Sequence, residues 1–366
     1  MKVSIGSQII KGPWGGGNLF VTNLSKYLKN LGHEVIYNLS EPDIDLIVLT
    51  DPRSRKDSTS TFNHIEIEKY KSCVKQDVVV VQRINECDER KGTENINDFY
   101  LEVSNSADHV TFVSTWLENI YLNLGMSADK TSVILAGADS DIFNDSNLSS
   151  FNEDSKIRIV THHWSSHENK GFKIYKLLND LVGKKEWAEK LEFTYIGNMS
   201  DEYSLNNTNL VNPLAGLELA AEIKKHQIYV TASINEPSGN HHIEAAQCGL
   251  PIIYLESGGI PEYCEGYGLS FVDNFEEQLI KMIENYEHFQ NKMKNYPRTS
   301  ETMCKEYYDL FNTLISKKKT PPENINLARY PFLLKHKFYR VFRDKLYFNT
   351  KNYLIYNLRK ILKKNG

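Results

Sequence analysis

Short runs of β-branched and apolar residues alternate with longer segments of helical periodicity through the first 135 residues, and this alternation constrains the fold most. Repeated strand–helix units build a parallel sheet that is covered by helices. The sequence therefore predicts an α/β domain over residues 1–144. Its predicted strands are Lys2–Gly6, Glu34–Tyr37, Leu46–Thr50, Val78–Arg83, His109–Ser114 and Thr131–Leu135.

A polar segment rich in Ser and Asn, residues 145–156, interrupts the alternation and is typical of a linker. A second series of strands and helices follows over residues 157–300. The pattern predicts two Rossmann-like open parallel sheets that are joined by a hinge and face a cleft. In the second series the predicted strands are Ile157–Thr161, Leu191–Ile196, Ile228–Ser233 and Pro251–Leu255, with helices over 171–182, 215–225, 240–248 and 275–295.

The C-terminal end of the chain is basic, whereas the body is acidic. Residues 317–366 hold fourteen Lys or Arg and two acidic residues, a net charge of +12, and because the whole chain carries −4 the preceding residues carry −16. An acidic body argues against a nucleic-acid-binding protein. A helix is predicted over Glu301–Ser316, within a segment 301–319, and is expected to be the last element of the second strand–helix series. A basic amphipathic extension, 320–366, follows, with apolar stripes Leu334, Phe338, Val341, Phe342, Leu346 and Leu354, Leu358, Ile361, Leu362.

Basic residues beside apolar stripes favour helices that lie in the headgroup region of an anionic membrane. Packing of the same helices on the acidic body is an equally open alternative. The sequence has no apolar run of membrane-spanning length, no signal-peptide core and no C-x-x-C pair among its five cysteines. We therefore expect a cytoplasmic protein with reduced thiols, peripheral on the inner face of the cytoplasmic membrane.

A glycine loop containing Gly15, Gly16 and Gly17 precedes a helix predicted over Asn18–Leu31. Glycines allow close backbone approach, and the free amides of a helix N-terminus suit a phosphate or a sugar hydroxyl. The spacing matches neither the dinucleotide-binding nor the P-loop pattern. A purely structural loop remains an alternative.

Two further groups of polar residues follow predicted strands, where open α/β sheets bind ligands. Arg83, Asn85, Glu86 and Asp88 lie at the end of the fourth strand or just after it and suit hydroxyl recognition, although a solvated loop explains them nearly as well. Glu236 and Glu244 are eight positions apart around a helix that begins near Gly239 or Asn240, so both can face one cleft. Taken alone, a pair of this kind is more often helix-terminus and surface charge.

The surroundings of this pair change the interpretation. Residues 235–251 and the turn Ser257–Glu262 resemble the E-x7-E donor site of retaining, GT-B-fold glycosyltransferases of family 4, with its G-x-P and G-G-I-P-E sequences. The resemblance extends over residues 1–316. It also includes the glycine loop, Gly32–Val35, Val133–Phe143 and Lys170–Phe172.

The resemblance implies a metal-independent, retaining transfer of a sugar from a nucleotide-diphosphate sugar to a hydroxyl of a glycan or lipid-linked acceptor, in cell-surface polysaccharide synthesis. It needs no cofactor. Glu236 would contact the donor sugar as the catalytic carboxylate, Glu244 the ribose, and Lys170 the diphosphate. Backbone amides of Gly239, Asn240, Gly258 and Gly259 would complete the donor pocket.

Two departures from the family pattern leave questions open. Ser165 stands where the family usually has an arginine, so the diphosphate would need a protonated His from residues 162–167 or a residue elsewhere. A frequent His-containing motif of the first domain is also absent. A sugar-nucleotide epimerase or a phosphorylase on the same fold, and a degenerate scaffold without activity, therefore remain alternatives.

No metal site is predicted. Asp43-Ile44-Asp45 and Asp139-Ser140-Asp141 spell D-x-D, but the first enters a predicted buried strand and the second belongs to the Val133–Phe143 segment of the resemblance. His241 and His242 are adjacent on a helix and diverge, with no third ligand at a suitable spacing.

Overall fold

A computed structural model describes residues 1–10, 15–53, 59–149, 155–318 and 328–339. Its first domain is a six-stranded parallel sheet in the order β2-β1-β3-β4-β5-β6. The elements are β1 (Lys2–Ile5), α1 (Gly16–Asn30), β2 (Glu34–Ile36), β3 (Leu46–Leu49), α2 (His64–Cys73), β4 (Val79–Ile84), α3 (Asp88–Lys91), α4 (Ile96–Ser104), β5 (His109–Phe112), α5 (Thr115–Asn123) and β6 (Thr131–Val133).

The second domain is also a six-stranded parallel sheet, in the order β12-β11-β10-β7-β8-β9. Its elements are β7 (Ile157–His163), α6 (Phe172–Val182), α7 (Lys185–Ala188), β8 (Leu191–Gly197), β9 (Asn209–Val211), α8 (Gly216–Ile223), β10 (Ile228–Thr231), α9 (Asn240–Gln247), β11 (Ile252–Leu255), α10 (Ile260–Cys264), β12 (Gly268–Phe271), α11 (Phe275–Glu284) and α12 (Tyr286–Met293).

The two sheets confirm the predicted fold class and contain every predicted strand. Central strands such as β3 and β4 are buried along their whole length, as expected for a sheet with helices on both faces. Strands β9 and β12 were not predicted. They form the two edges of the second sheet and are partly exposed, so they lack a continuous apolar run. The predicted helix over 275–295 is divided at Asn285.

The helix that follows the second sheet, α13 (Ser300–Lys317), packs on the first domain instead of closing the second. Its buried face, which includes Tyr307 and Phe311, joins the core around β1 and α1, and the rings of Phe20 and Tyr307 lie 5.1 Å apart. Helical periodicity identifies this apolar face but not its partner. The first domain therefore takes part of its core from residues beyond the second domain.

One helix of the predicted basic extension is described, α14 (Arg329–Phe338), and it packs beside α2. The ring of Phe332 lies 6.1 Å from that of Tyr70, and His336 is buried near Glu66. Among the described residues, no helix is long and apolar enough to cross a bilayer. The stripe residues Val341, Phe342, Leu346, Leu354, Leu358, Ile361 and Leu362 lie outside the described residues, as do Gly12, Pro13, Trp14 and linker residues 150–154.

Candidate active site between the two domains

The loops at the carboxyl ends of both sheets line one cleft, with a cavity volume of about 1010 Å³. The first domain contributes Gly15–Asn18 and Arg83–Glu86, and the second contributes His162–Ser165 and the loop from Ile234 to Asn240. This is the edge at which parallel sheets bind ligands. The cleft is therefore the candidate active site.

Glu236 lies in the loop between β10 and α9, and the turn after β11 holds its backbone. The amide of Gly259 donates a hydrogen bond of 2.9 Å to the carbonyl oxygen of Glu236. Gly258 has a φ of +65°, and a Cβ at this position would lie 2.6 Å from the same oxygen. Only glycine therefore combines this left-handed backbone with so close an approach.

The Glu236 carboxylate is buried between two cations from different domains. Lys170 Nζ lies 2.5 Å from Oε2, and Arg90 Nη2 lies 3.2 Å from Oε1. Burial alone would raise the pKa of Glu236, but the charges of Lys170 and Arg90 outweigh it and lower the pKa to about 2. Glu236 is thus ionised at neutral pH and can only accept hydrogen bonds.

Side-chain amides join the domains beside this ion pair. Asn169 Nδ2 donates to the carbonyl oxygen of Arg90 at 2.7 Å, and Asn235 Nδ2 donates to that of Glu89 at 3.0 Å. Both acceptors belong to α3 in the first domain. The structure therefore has the cleft closed around Glu236, with α3 against the Glu236 loop.

Glu244 lies on α9, is buried and also lines the cleft. Its Oε2 lies 3.0 Å from Nε2 of His162, at the end of β7. The other ring nitrogen of His162 lies 3.2 Å from the hydroxyl of Tyr229. The imidazole thus holds the carboxylate in place at the cleft wall while the second carboxylate oxygen remains available.

The first turns of two helices meet across the cleft. Neither α1 nor α9 has a side-chain cap or an acidic residue in its first turn. The two N-termini are close, since a Cβ at Gly16 would lie 2.8 Å from Oδ1 of Asn240. Their free amides and dipoles make this part of the cleft favourable for an anion.

Three further histidines of the second domain are buried, and two of them, His163 and His241, line the cleft. Burial lowers the pKa of His163 and of His241 well below the usual value, and lowers that of His242 to about 3. These imidazoles are neutral at neutral pH, so His163 does not provide the protonated histidine that the sequence left open. Within the described residues, no three His, Cys, Asp or Glu side chains are grouped so as to hold a metal ion.

Residues 165–301 match the family model described as "Glycosyl transferases group 1". The second domain is similar to the group 1 glycosyltransferases. The match covers just over a third of the chain and contains Lys170, Glu236 and Glu244. It confirms the predicted resemblance at the level of group 1 glycosyltransferases, and the enzyme class is that of a glycosyltransferase. Family 4 and the retaining mechanism stay predictions. No curated protein sequence matches the chain.

Solved glycosyltransferases share the fold of the whole two-domain unit. A glycosyltransferase from Rickettsia africae is 14% identical with a TM-score of 0.62, covering 86% of this chain and 98% of its own. Anabaena HepE in complex with UDP is 14% identical with a TM-score of 0.62, covering 85% and 99%. The lipopolysaccharide outer core galactosyltransferase WaaB is 11% identical with a TM-score of 0.62, covering 86% and 99%. The chain therefore has the GT-B fold.

Most of the predicted site residues line the cleft between the glycosyltransferase domain and the first domain. Ser165 is exposed there, and its hydroxyl accepts a hydrogen bond from the amide of His167. The other predicted residues found in the cleft are Gly15, Gly16, Gly17, Arg83, Asn85, Glu86, Lys170, Glu236, Gly239, Asn240 and Glu244.

Three predicted site residues do not line the cleft. Gly258 and Gly259 hold the backbone of Glu236, so they support the cleft wall at that residue. Asp88 accepts hydrogen bonds from Thr93 and from the first amides of α4, including that of Ile96. The Asp88 carboxylate therefore stabilises the start of α4 and is not available to bind a substrate hydroxyl.

Sequence reasoning missed three residues that shape the site. Arg90 was visible as the next basic residue in the charged run after β4, but its partner Glu236 is far away in sequence. His162 was noted only as one of several imidazoles. Glu262 of the glycosyltransferase domain accepts hydrogen bonds of 2.8 Å from the amides of Thr115 and Trp116, which begin α5 in the first domain. No sequence signal indicated this last contact between the domains.

Proposed function

We propose that the chain transfers a sugar from a nucleoside-diphosphate sugar to a hydroxyl of a glycan or lipid-linked acceptor, with retention of configuration and without a metal ion. One observation carries the proposal. An ionised, buried glutamate with a lysine beside it lies in the domain that matches the group 1 glycosyl transferases, and helix N-termini from both domains converge on the same cleft.

On the donor side, each group has a role that fits its surroundings. Lys170 and the first amides of α9 would neutralise the diphosphate. Glu236 would accept hydrogen bonds from hydroxyls of the donor sugar, and Glu244 from those of the ribose. A nucleoside diphosphate of this kind occupies HepE, which has been solved with UDP.

In the structure, Glu236 forms ion pairs with both Lys170 and Arg90. A bound diphosphate would compete with Glu236 for Lys170. Hydrogen bonds from sugar hydroxyls would then replace part of the interaction that the Glu236 carboxylate loses. Arg90 would keep Glu236 ionised during this exchange. Because the carboxylate is held from two domains, its position depends on the closed cleft.

The reaction follows from where negative charge develops. As the bond between the anomeric carbon and the diphosphate breaks, the leaving phosphate gains charge, which Lys170 and the helix amides stabilise. The acceptor hydroxyl attacks the anomeric carbon from the same face and passes its proton to the leaving phosphate. The new glycosidic bond therefore keeps the configuration of the donor, and Glu236 stabilises the sugar without attacking it.

On the acceptor side, Asn85, Glu86 and the glycine loop Gly15–Gly17 line the first-domain wall. A role in cell-surface polysaccharide synthesis agrees with the activity named for WaaB. An acceptor of that kind is made at a membrane, which the protein would approach through α14.

Helix α14 presents one apolar stripe away from the body. Tyr330, Leu334 and Phe338 are 63%, 67% and 57% exposed and lie four residues apart, on the same side of the helix. Lys335 and Lys337 flank them. Apolar side chains with basic neighbours suit the surface of an anionic bilayer, so we extend the proposal to peripheral binding at the cytoplasmic membrane.

A nucleotide screen followed by turnover tests the proposed activity. UDP, GDP and ADP are compared by thermal shift, since a ligand of the native state raises the melting temperature with concentration. The corresponding nucleotide sugars are then incubated with and without acceptor extracts, and released nucleotide is measured. Acceptor-dependent release supports transfer, whereas isomerised donor without acceptor indicates an epimerase. Consumption that requires inorganic phosphate indicates a phosphorylase, and binding without any turnover indicates a scaffold.

A further inference from the structure

Arg83 differs from every other basic residue of the cleft. The described Lys and Arg residues that line it are five, and four are ion-paired: Arg53 with Asp51, Arg90 with Glu236 and Glu86, Lys91 with Glu86, and Lys170 with Glu236. No described carboxylate lies within ion-pair distance of Arg83, which is 4% exposed, and its Nε has no hydrogen-bond partner in the described part of the chain.

The surroundings of the Arg83 guanidinium are neutral. It lies on the face of β4 that α1 and α13 cover, 4.2 Å from the centroid of the Phe20 ring and beside the hydroxyl of Tyr307. A buried guanidinium without a carboxylate is costly, because it loses water without gaining an opposite charge. Packing on the Phe20 ring alone would be served equally well by a methionine.

The position of Arg83 points toward substrate. Its side chain lines the cleft at the end of β4, where Asn85 and Glu86 follow it on the same wall. Lys170, the diphosphate partner in the proposed function, belongs to the other domain. The guanidinium is therefore placed to meet an anion other than the diphosphate, and its planar donors match a carboxylate or a phosphate in a two-pronged contact.

We propose that Arg83 binds an acid group, a carboxylate or a phosphate, carried by a sugar at the first-domain wall of the cleft. This inference rests on the proposed sugar transfer and names the class of its substrate. The acceptor is the favoured carrier because Arg83 belongs to the domain opposite Lys170. An acid group on the donor sugar has the same chemistry and is distinguished by experiment.

Binding of matched acidic and neutral sugars tests the proposal on the full-length protein. D-glucuronate and glucose 6-phosphate are compared with glucose by ligand-observed NMR, with the best nucleoside diphosphate from the screen at saturation, so that the donor phosphate site is filled. The wild type should prefer both acids to glucose. Arg83→Met should weaken acid binding about 10- to 100-fold, as for the loss of a charged hydrogen-bonded pair, and leave glucose unchanged.

A second comparison identifies the carrier of the acid. UDP-glucuronate and UDP-glucose are titrated into the wild type and Arg83→Met. A selective loss for UDP-glucuronate assigns the acid group to the donor sugar, whereas a loss confined to free glucuronate and glucose 6-phosphate assigns it to the acceptor. Either result supports Arg83 as the acid-binding residue.

Lys91→Met is the matched control, because it removes a positive charge from the same wall while Glu86 retains its ion pair with Arg90. It should retain the preference for acids. The melting temperature of Arg83→Met should be no lower than that of the wild type, since the substitution removes an unpaired buried charge. If Arg83→Met fails to fold, Arg83→Gln takes its place in the binding assay. The proposal is overturned if the wild type does not prefer acids or if the Arg83 variants keep that preference. Absence of any nucleotide binding would refute the proposed function instead. In that case the binding of the two acidic sugars and of glucose is compared without nucleotide, and it still tests Arg83.

Discussion

The low pKa of Glu236 makes a measurable contribution to stability, and Glu236→Gln isolates it. In the folded protein burial opposes ionisation, but Lys170 and Arg90 lower the pKa from 4.5 to about 2. The unfolded chain therefore binds more protons than the folded one at acidic pH, and stability must rise with pH. The full contribution, about 3 kcal/mol, is present above pH 4.5 and is lost as the pH falls from about 4.5 to about 2.

Urea unfolding of the wild type and Glu236→Gln at pH 7 and at pH 3.5 measures this contribution. Glutamine does not titrate, so the difference in unfolding free energy between the two proteins should shrink by about 1 kcal/mol at the lower pH. Glu265→Gln, which changes an exposed glutamate of the same domain, is the control for the substitution itself. An equal difference at both pH values for Glu236→Gln would refute the ion-paired state of this carboxylate.

Four further outcomes are expected. Glu236→Gln and Glu244→Gln should each lower kcat/KM by about one to two decades, because each loses a charged acceptor worth about 1.5 to 3 kcal/mol; near-normal turnover in the folded variants would contradict the assigned roles. Lys170→Ala should weaken calorimetric binding of a nucleoside diphosphate more than binding of the nucleoside, whereas equal losses would argue against a phosphate contact. Nucleotide release should survive EDTA; loss that a metal restores would refute the metal-independent mechanism. In liposome flotation the full-length protein should bind anionic but not neutral vesicles, less so at high salt, and truncation after Lys319 should abolish binding without unfolding.

The proposed donor side of the site could be predicted because its parts are contiguous in sequence. Glu236, the start of α9 at Asn240 and Glu244 lie within one strand–loop–helix unit, so local signals place them at the same sheet edge. The structure brings these three residues together in the cleft. The strand pattern predicted the two sheets for the same reason, since each strand is a local run.

Contacts between distant segments could not be predicted. Arg90 meets Glu236 across the cleft, and nothing in either local sequence names the other residue. Asp88 has the composition of a ligand-binding residue, yet its carboxylate is taken up by the amides that begin α4. Whether such a carboxylate is free for a ligand or bound by local amides depends on the three-dimensional positions of competing hydrogen-bond donors. The periodicity of the sequence does not give these positions.

The crossing of α13 back to the first domain has a consequence for synthesis of the chain. Tyr307 and Phe311 complete a core whose other members, such as Phe20, are made first. While the ribosome is still translating, the earlier domain lacks this helix, and it can finish packing only after residue 317 has emerged from the exit tunnel. The later domain, whose core is complete by Tyr296, is thus the first to have its whole core, whereas the apolar face of α1 stays uncovered until α13 has been made.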